Sequence, residues 1–146
     1  MSRMLLCFDG SEHATRATQF VTEFVIALKA PEICVLNVQN DPADLGSELQ
    51  LSFDSLEQAQ ALAHEQGRTV LKAAEELLDR AMSPSAYSVH IRLGARAESI
   101  IQCAVDLSCD LVVIGSRGLG AIQSVLLGSV TIKVLHLSSI PVIVVR

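Results

Sequence analysis

Leu111-Val112-Val113-Ile114-Gly115-Ser116-Arg117-Gly118 is the stretch on which the fold turns. Leu111 to Ile114 is wholly apolar and mostly β-branched, with no polar residue on alternate positions. A strand of that kind is covered on both faces, as in a parallel sheet flanked by helices. Gly115 ends it. Upstream, Met4 to Phe8 is a similar run that stops at Asp9-Gly10-Ser11, and Ile33 to Val38 is another, followed by the turn signal Asn40-Asp41-Pro42. Tyr87 to Leu93 alternates as a third strand and stops at Gly94; Ile140 to Val145 is the last.

Helical periods fill the gaps. Ser11 is a good N-cap for Ala14, Ala17, Val21, Phe24, Val25 and Leu28, and Ala30-Pro31 ends that helix. Residues 41 to 54 show no clear period. Asp54 and Glu57 have capping-box spacing at the start of a long second helix marked by Leu56, Ala63, Val70, Ala74, Leu77 and Ala81, with Gly67 a weak point inside it. Ser83-Pro84-Ser85 breaks that pattern. Ala97, Ile100, Ile101, Ala104 and Val105 give a third helix, and Val130, Val134 and Leu137 a last one from about Ser129. Strands alternating with helices imply parallel pairing by right-handed crossovers. The expected fold is α/β, an open doubly wound parallel five-stranded sheet with helices on both faces, in one domain over residues 1–146.

Composition narrows the function. Half of the 146 residues are hydrophobic, which excludes a disordered chain. The net charge of −5 argues against binding to nucleic-acid backbones, so any phosphate must be held locally. No stretch approaches the ~20 apolar residues of a membrane span, and Met1 to Leu6 lacks the long apolar run of a secretory signal. Cys7, Cys34, Cys103 and Cys109 form no Cys-x-x-Cys pair and no zinc-type cluster, and read as reduced core thiols of a cytoplasmic protein.

Ligands of open α/β sheets sit beyond the C-terminal ends of the strands, near the switch in strand order. The richest candidate is the segment after strand 4. Gly115-Ser116-Arg117-Gly118 is followed, after nine intervening residues, by Gly128-Ser129 at the start of the last helix. Glycines let backbone approach an anion closely, and a helix N-terminus adds unpaired N–H groups. Ser129 is expected to cap that helix or to donate to phosphate. The alternative is a pair of ordinary turns. A Walker A loop is excluded because no Gly-Lys pair exists, and Gly118-Leu119-Gly120 fails as a dinucleotide fingerprint because its sixth position is Gln123.

The spacing Gly115-x-x-Gly118, then Gly128-Ser129, resembles the ATP-binding signature of the universal stress protein family. Asp9-Gly10-Ser11 is similar to that family's opening motif, Gly94-Ala95-Arg96-Ala97 to its turn into helix 3, and Pro141 to Arg146 to its C-terminal strand. The likeness covers essentially the whole chain. It implies a cytoplasmic homodimer that binds ATP with Mg²⁺ and acts as a regulatory protein of the stress response. Asp9 would lie near ribose, phosphates and metal, and Val38 would meet adenine through its backbone. The site implied comprises Asp9, Gly10, Ser11, Val38, Gly115, Ser116, Arg117, Gly118, Gly128, Ser129, Val130 and Thr131. Two positions depart from the family's habit: Arg96 stands where many members carry Pro, and Asn37 where many carry His.

No catalytic residue is expected. His13, His64, His90 and His136 are scattered without metal or triad spacing, and Asp41, Asp44, Glu48 and Asp54 read as a solvated loop. Lys133 reads as a solvated cation. A protein–protein scaffold with a vestigial pocket and a slow ATPase are the competing readings. The last strand is β-branched and uncharged up to Arg146, so pairing of two copies along it is expected, and Ile143→Pro should block that pairing.

Overall fold

The computed structural model describes residues 3–28, 32–44, 52–120 and 126–146; the Ala30-Pro31 stop and Glu48 lie outside them. Along the chain come β1 (Arg3–Cys7), α1 (Glu12–Leu28), β2 (Glu32–Gln39), α2 (Phe53–Asp79), a 3₁₀ turn (Pro84–Ala86), β3 (Tyr87–Leu93), α3 (Arg96–Asp106), β4 (Leu111–Gly115), α4 (Ser129–Leu137) and β5 (Val142–Val145). The five strands form one parallel sheet in the order β3-β2-β1-β4-β5.

Alternate side chains of each strand feed two cores. Met4, Leu6, Ile33, Val35, Leu111 and Val113 pack with α1 and α2, through Ala17, Val21, Leu71 and Leu78. Leu5, Leu36, Val112 and Ile114 pack on the opposite face with α3 and α4, through Ile100, Cys103 and Val134. Because both faces are covered, the interior strands carry unbroken apolar runs, Met4 to Cys7, Ile33 to Leu36 and Leu111 to Ile114, which is the signal the sequence displayed. The expected doubly wound single domain is therefore found. Cys7, Cys34, Cys103 and Cys109 are all buried, and burial drives the Cys7 thiol well above its ordinary range and pushes Cys109 to about 12. Thiols so protonated are poor nucleophiles.

Three local expectations are corrected. The second helix opens at Phe53, not through Asp54 and Glu57: Ser52 has extended backbone and its Oγ accepts from Ser55 N at 3.2 Å, leaving Asp54 in the first turn, where the helix dipole favours it. The last strand begins at Val142 instead of Ile140, because both backbone groups of Ile140 are taken by Ser138 Oγ. Gly67 is no weak point. A Cβ there would lie 2.9 Å from Ile91 Cγ2 and 3.1 Å from Asn37 Oδ1, so glycine is what lets α2 cross close over β2 and β3.

β5 is an edge strand, with β4 on one side only. Val112 N donates to Pro141 O and Ser116 N to Val145 O. In a parallel ladder a residue turns its N–H and C=O toward the same neighbour, so Ile143 and Val145 face β4, as Pro141 does through its C=O, while Val142 and Val144 direct theirs to the open edge. Ile143→Pro thus breaks the chain's own sheet and is the wrong test of pairing at the edge. Val144→Pro is the right one.

Candidate functional site

The order of the strands reverses between β1 and β4: the chain leaves β1 toward β2 on one side and enters β4 on the other. Two connections diverge there, the turn into α1 and the glycine segment leading to α4. They meet over the carboxyl ends of β1 and β4, the place where open α/β sheets hold ligands.

The first wall is the turn after β1. Asp9 is half-buried, and its Oδ1 accepts from Ser11 N at 2.9 Å, an Asx turn. Gly10 follows with φ +83°, which explains glycine at that position. Ser11 caps α1 as its sequence suggested: its Oγ accepts from Ala14 N at 3.1 Å. The same hydroxyl donates to Arg117 O at 3.4 Å, joining the two walls.

The second wall is the glycine segment, and its glycines do different work. Gly115 packs beneath the first turn of α1, with no room for a side chain. Gly118 lies against Asp9, whose Oδ2 accepts from Leu119 N at 3.2 Å. Gly120 has φ +77° and open space around it. Gly128 is the N-cap of α4, its N–H bonded to Ser116 O at 2.8 Å. Among the described residues no side chain caps α4, whose first-turn N–H groups, as in any helix, have no intrahelical partner. Ser129 is therefore the first helical residue, so that of its two expected roles the cap falls to Gly128 and the exposed hydroxyl is left for a ligand.

The remaining candidates divide. Thr131 is buried and its Oγ1 donates to Gly115 O at 3.0 Å, so its side chain secures α4 to β4. Val130 packs partly into the core beside it. Val38 stands at the far end of β2, paired with Arg92 across the β2–β3 ladder. Asn37, buried below it, donates through Nδ2 to Phe8 O at 2.8 Å and fastens β2 to the end of β1. Arg96 is exposed at the first position of α3. Lys133 is exposed, as its position suggested, and pairs there with Glu98, both side chains about half exposed.

Sequence reasoning passed over His13. It sits in the first turn of α1, and its Nδ1 lies 3.1 Å from Ser116 Oγ. Ser116 is 1% exposed, so this contact, with Ser116 O on Gly128 N, fixes the start of the segment from both sides. The available signal was position: His13 follows the cap of the helix that leaves the switch point.

Comparison with known proteins places the whole chain. The model of the universal stress protein family matches residues 1–146. A universal stress protein of Thermus aquaticus, in the QAH/OAS sulfhydrylase 3′ region, is 32% identical, over 98% of this chain and 97% of its own length. Among solved structures, hypothetical protein MJ0577 superposes with a TM-score of 0.77 at 27% identity, over 99% of this chain and 94% of that one. Two more distant members share the fold. One from Archaeoglobus fulgidus, solved in complex with dAMP, has a TM-score of 0.66 at 16% identity, over 100% and 98% of the two chains. One from Arabidopsis thaliana with AMP bound has 0.68 at 17%, over 99% and 91%. Among the described residues no helix is long and apolar enough to cross a membrane. With the doubly wound sheet, the glycine segment at its switch point and a family match from end to end, the chain belongs to the universal stress protein family.

Proposed function

We propose that this chain is an ATP-binding regulatory protein of the stress response that works as a cytoplasmic homodimer and is not an enzyme. The observation that carries the reading is the uncapped first turn of α4, opening behind Gly128 onto the glycine segment at the switch point. Such a terminus takes an anion through its N–H groups and dipole. Family members solved with AMP and dAMP support an adenine nucleotide as the source of that anion. In this reading the phosphates lie against Gly115 to Gly118 and the start of α4 at Gly128, Ser129 and Val130. Asp9, Gly10 and Ser11 face the ribose side, and Val38 the base.

Magnesium fits this arrangement only as part of the nucleotide. Among the described residues no three carboxylate, histidine or cysteine groups are placed to hold a metal ion. Asp9 is the protein oxygen at hand, so the ion would keep phosphate and water as its other ligands, as Mg²⁺ commonly does. When bound, it would offset phosphate charge. Calorimetric titration of the nucleotide-free chain with MgATP tests the reading, and native mass spectrometry of the purified protein should find nucleotide carried along. No binding at about millimolar ATP, a Kd corresponding to about −4 kcal/mol, gives the function to the scaffold alternative. Turnover should stay below about 1 s⁻¹, the lower end of ordinary enzyme rates.

Ser129→Ala is expected to weaken ATP several-fold while leaving the melting temperature within about 2 °C, because no cap is lost. A fall in stability of the size seen for lost caps, about 1 kcal/mol, would mean that Ser129 supports the helix after all.

Dimerisation is assigned to β5. Val144→Pro removes an outward N–H and leaves the β4–β5 ladder intact. The parent should sediment as a dimer at micromolar concentration and the variant as a folded monomer. A dimeric Val144→Pro would move the interface elsewhere.

A further inference from the structure

His13 brings a titratable ring to the glycine segment. Its Nδ1 is 3.1 Å from Ser116 Oγ, and the ring is half-buried, still open to proton exchange. The charged groups that act on it come from three places: Arg117 in the glycine segment, Asp9 after β1, and Glu12 and Arg16 on its own helix. Arg16 is itself paired with Glu12 at 2.8 Å. Burial first, then Arg117 and Arg16, hold the imidazole below its ordinary value, against the weaker pull of Glu12 and Asp9. Those groups together favour the neutral ring in the nucleotide-free chain.

Building on the nucleotide reading above, we propose that His13 is the proton-sensing residue of the site: it takes up a proton when phosphate docks on the glycine segment, so that nucleotide affinity rises as pH falls. The sign follows from charge. A phosphate on this segment brings negative charge beside Arg117, offsets the guanidinium that disfavours imidazolium, and adds an attraction of its own. A ligand that favours the protonated form binds better wherever that form is populated. Well above neutrality the ring is neutral with or without ligand, and affinity is flat. The gain accumulates as pH falls through the bound protein's value and levels off below that of the nucleotide-free protein. Titration does not release the segment. A hydroxyl both donates and accepts, so Ser116 Oγ can donate to a neutral Nδ1 and accept from a protonated one.

The test is calorimetry of ATP binding to the full chain and to His13→Gln between about pH 5.5 and about pH 7.5, in buffers of different ionisation enthalpy. ATP titrates in the same range, so the difference between the two proteins is what counts. The parent should gain about tenfold more affinity than the variant as pH falls, and take up more protons per ATP bound. Proton NMR of the parent gives a second readout that needs no variant: the midpoint of the His13 ring signal should move up when ATP is added. Equal pH slopes and proton uptake, or a His13 midpoint unmoved by ATP, overturn this proposal and leave ATP binding standing. Absence of ATP binding at every pH overturns the nucleotide reading and this one with it.

Discussion

Gly118→Val is expected to abolish ATP binding, lowering affinity by at least about a hundredfold, or about 2.7 kcal/mol, while the fold survives. A Cβ at position 118 would stand 2.6 Å from Asp9 Oδ2. That carboxylate is not idle: it holds Ser11 N through one oxygen and Leu119 N through the other. Valine adds two methyl groups to the same space, so Asp9 must swing away and give up Leu119 N. The change therefore strikes twice, at the carboxylate assigned to the ribose side and at the path of the segment assigned to the phosphates. Backbone strain takes no part, since the left-handed glycines of the segment's neighbourhood are Gly10 and Gly120, not Gly118. Gly118 is exposed, so the melting temperature should move by only a few degrees, as for surface changes generally. Calorimetry with MgATP decides the matter. Parent-like affinity in Gly118→Val would mean that phosphate does not approach this glycine.

What the sequence disclosed and what it hid have physical reasons. The strands were legible because a doubly covered sheet demands unbroken apolar runs, as in Leu111 to Ile114 and Ile33 to Leu36. Ser11 was legible as a cap because its partner, Ala14 N, is three residues away. Local competition misled elsewhere. The Asp54–Glu57 pair marked a start to α2, whereas the cap is Ser52, two residues before Asp54, with extended backbone and a hydroxyl on Ser55 N. The role of Gly67 depends on Ile91 and Asn37, and the contact of His13 on Ser116, 103 positions away; no periodic pattern reports such meetings. The glycine segment was recognised as a unit, but its members read alike in sequence. Only the folded chain separates Gly115, packed against a helix, from Gly118, packed against a carboxylate, and from Gly120, needed for its φ.

That separation yields the largest effect on stability. Gly115→Ala should cost about 3 kcal/mol, the upper part of the range for overpacking a tight core, and lower the melting temperature by about 10 °C. The added Cβ would lie 2.8 Å from His13 C and 2.9 Å from both Ala14 N and His13 Cβ. Two of these atoms are backbone of the first turn of α1, so no rotamer change relieves the contact, and the helix must lift off the end of β4. Lifting it strains Ser11 Oγ on Arg117 O and His13 on Ser116, the two ties between the walls of the site. Gly115 is also paired with Val145 in the sheet and accepts from Thr131 Oγ1, so the strand has little freedom to retreat instead. Gly128→Ala serves as the control: its Cβ would meet nothing closer than Arg117 Cα at 3.4 Å, and it should melt close to the parent. Thermal and urea denaturation of the two variants measure the contrast. Should Gly115→Ala melt within about 2 °C of the parent, less than 1 kcal/mol for a chain of this size, the close approach of α1 to β4 would not be what requires glycine there. In the expected case ATP binding by Gly115→Ala is lost only as the chain unfolds, whereas in Gly118→Val binding should fail in a chain that still melts cooperatively.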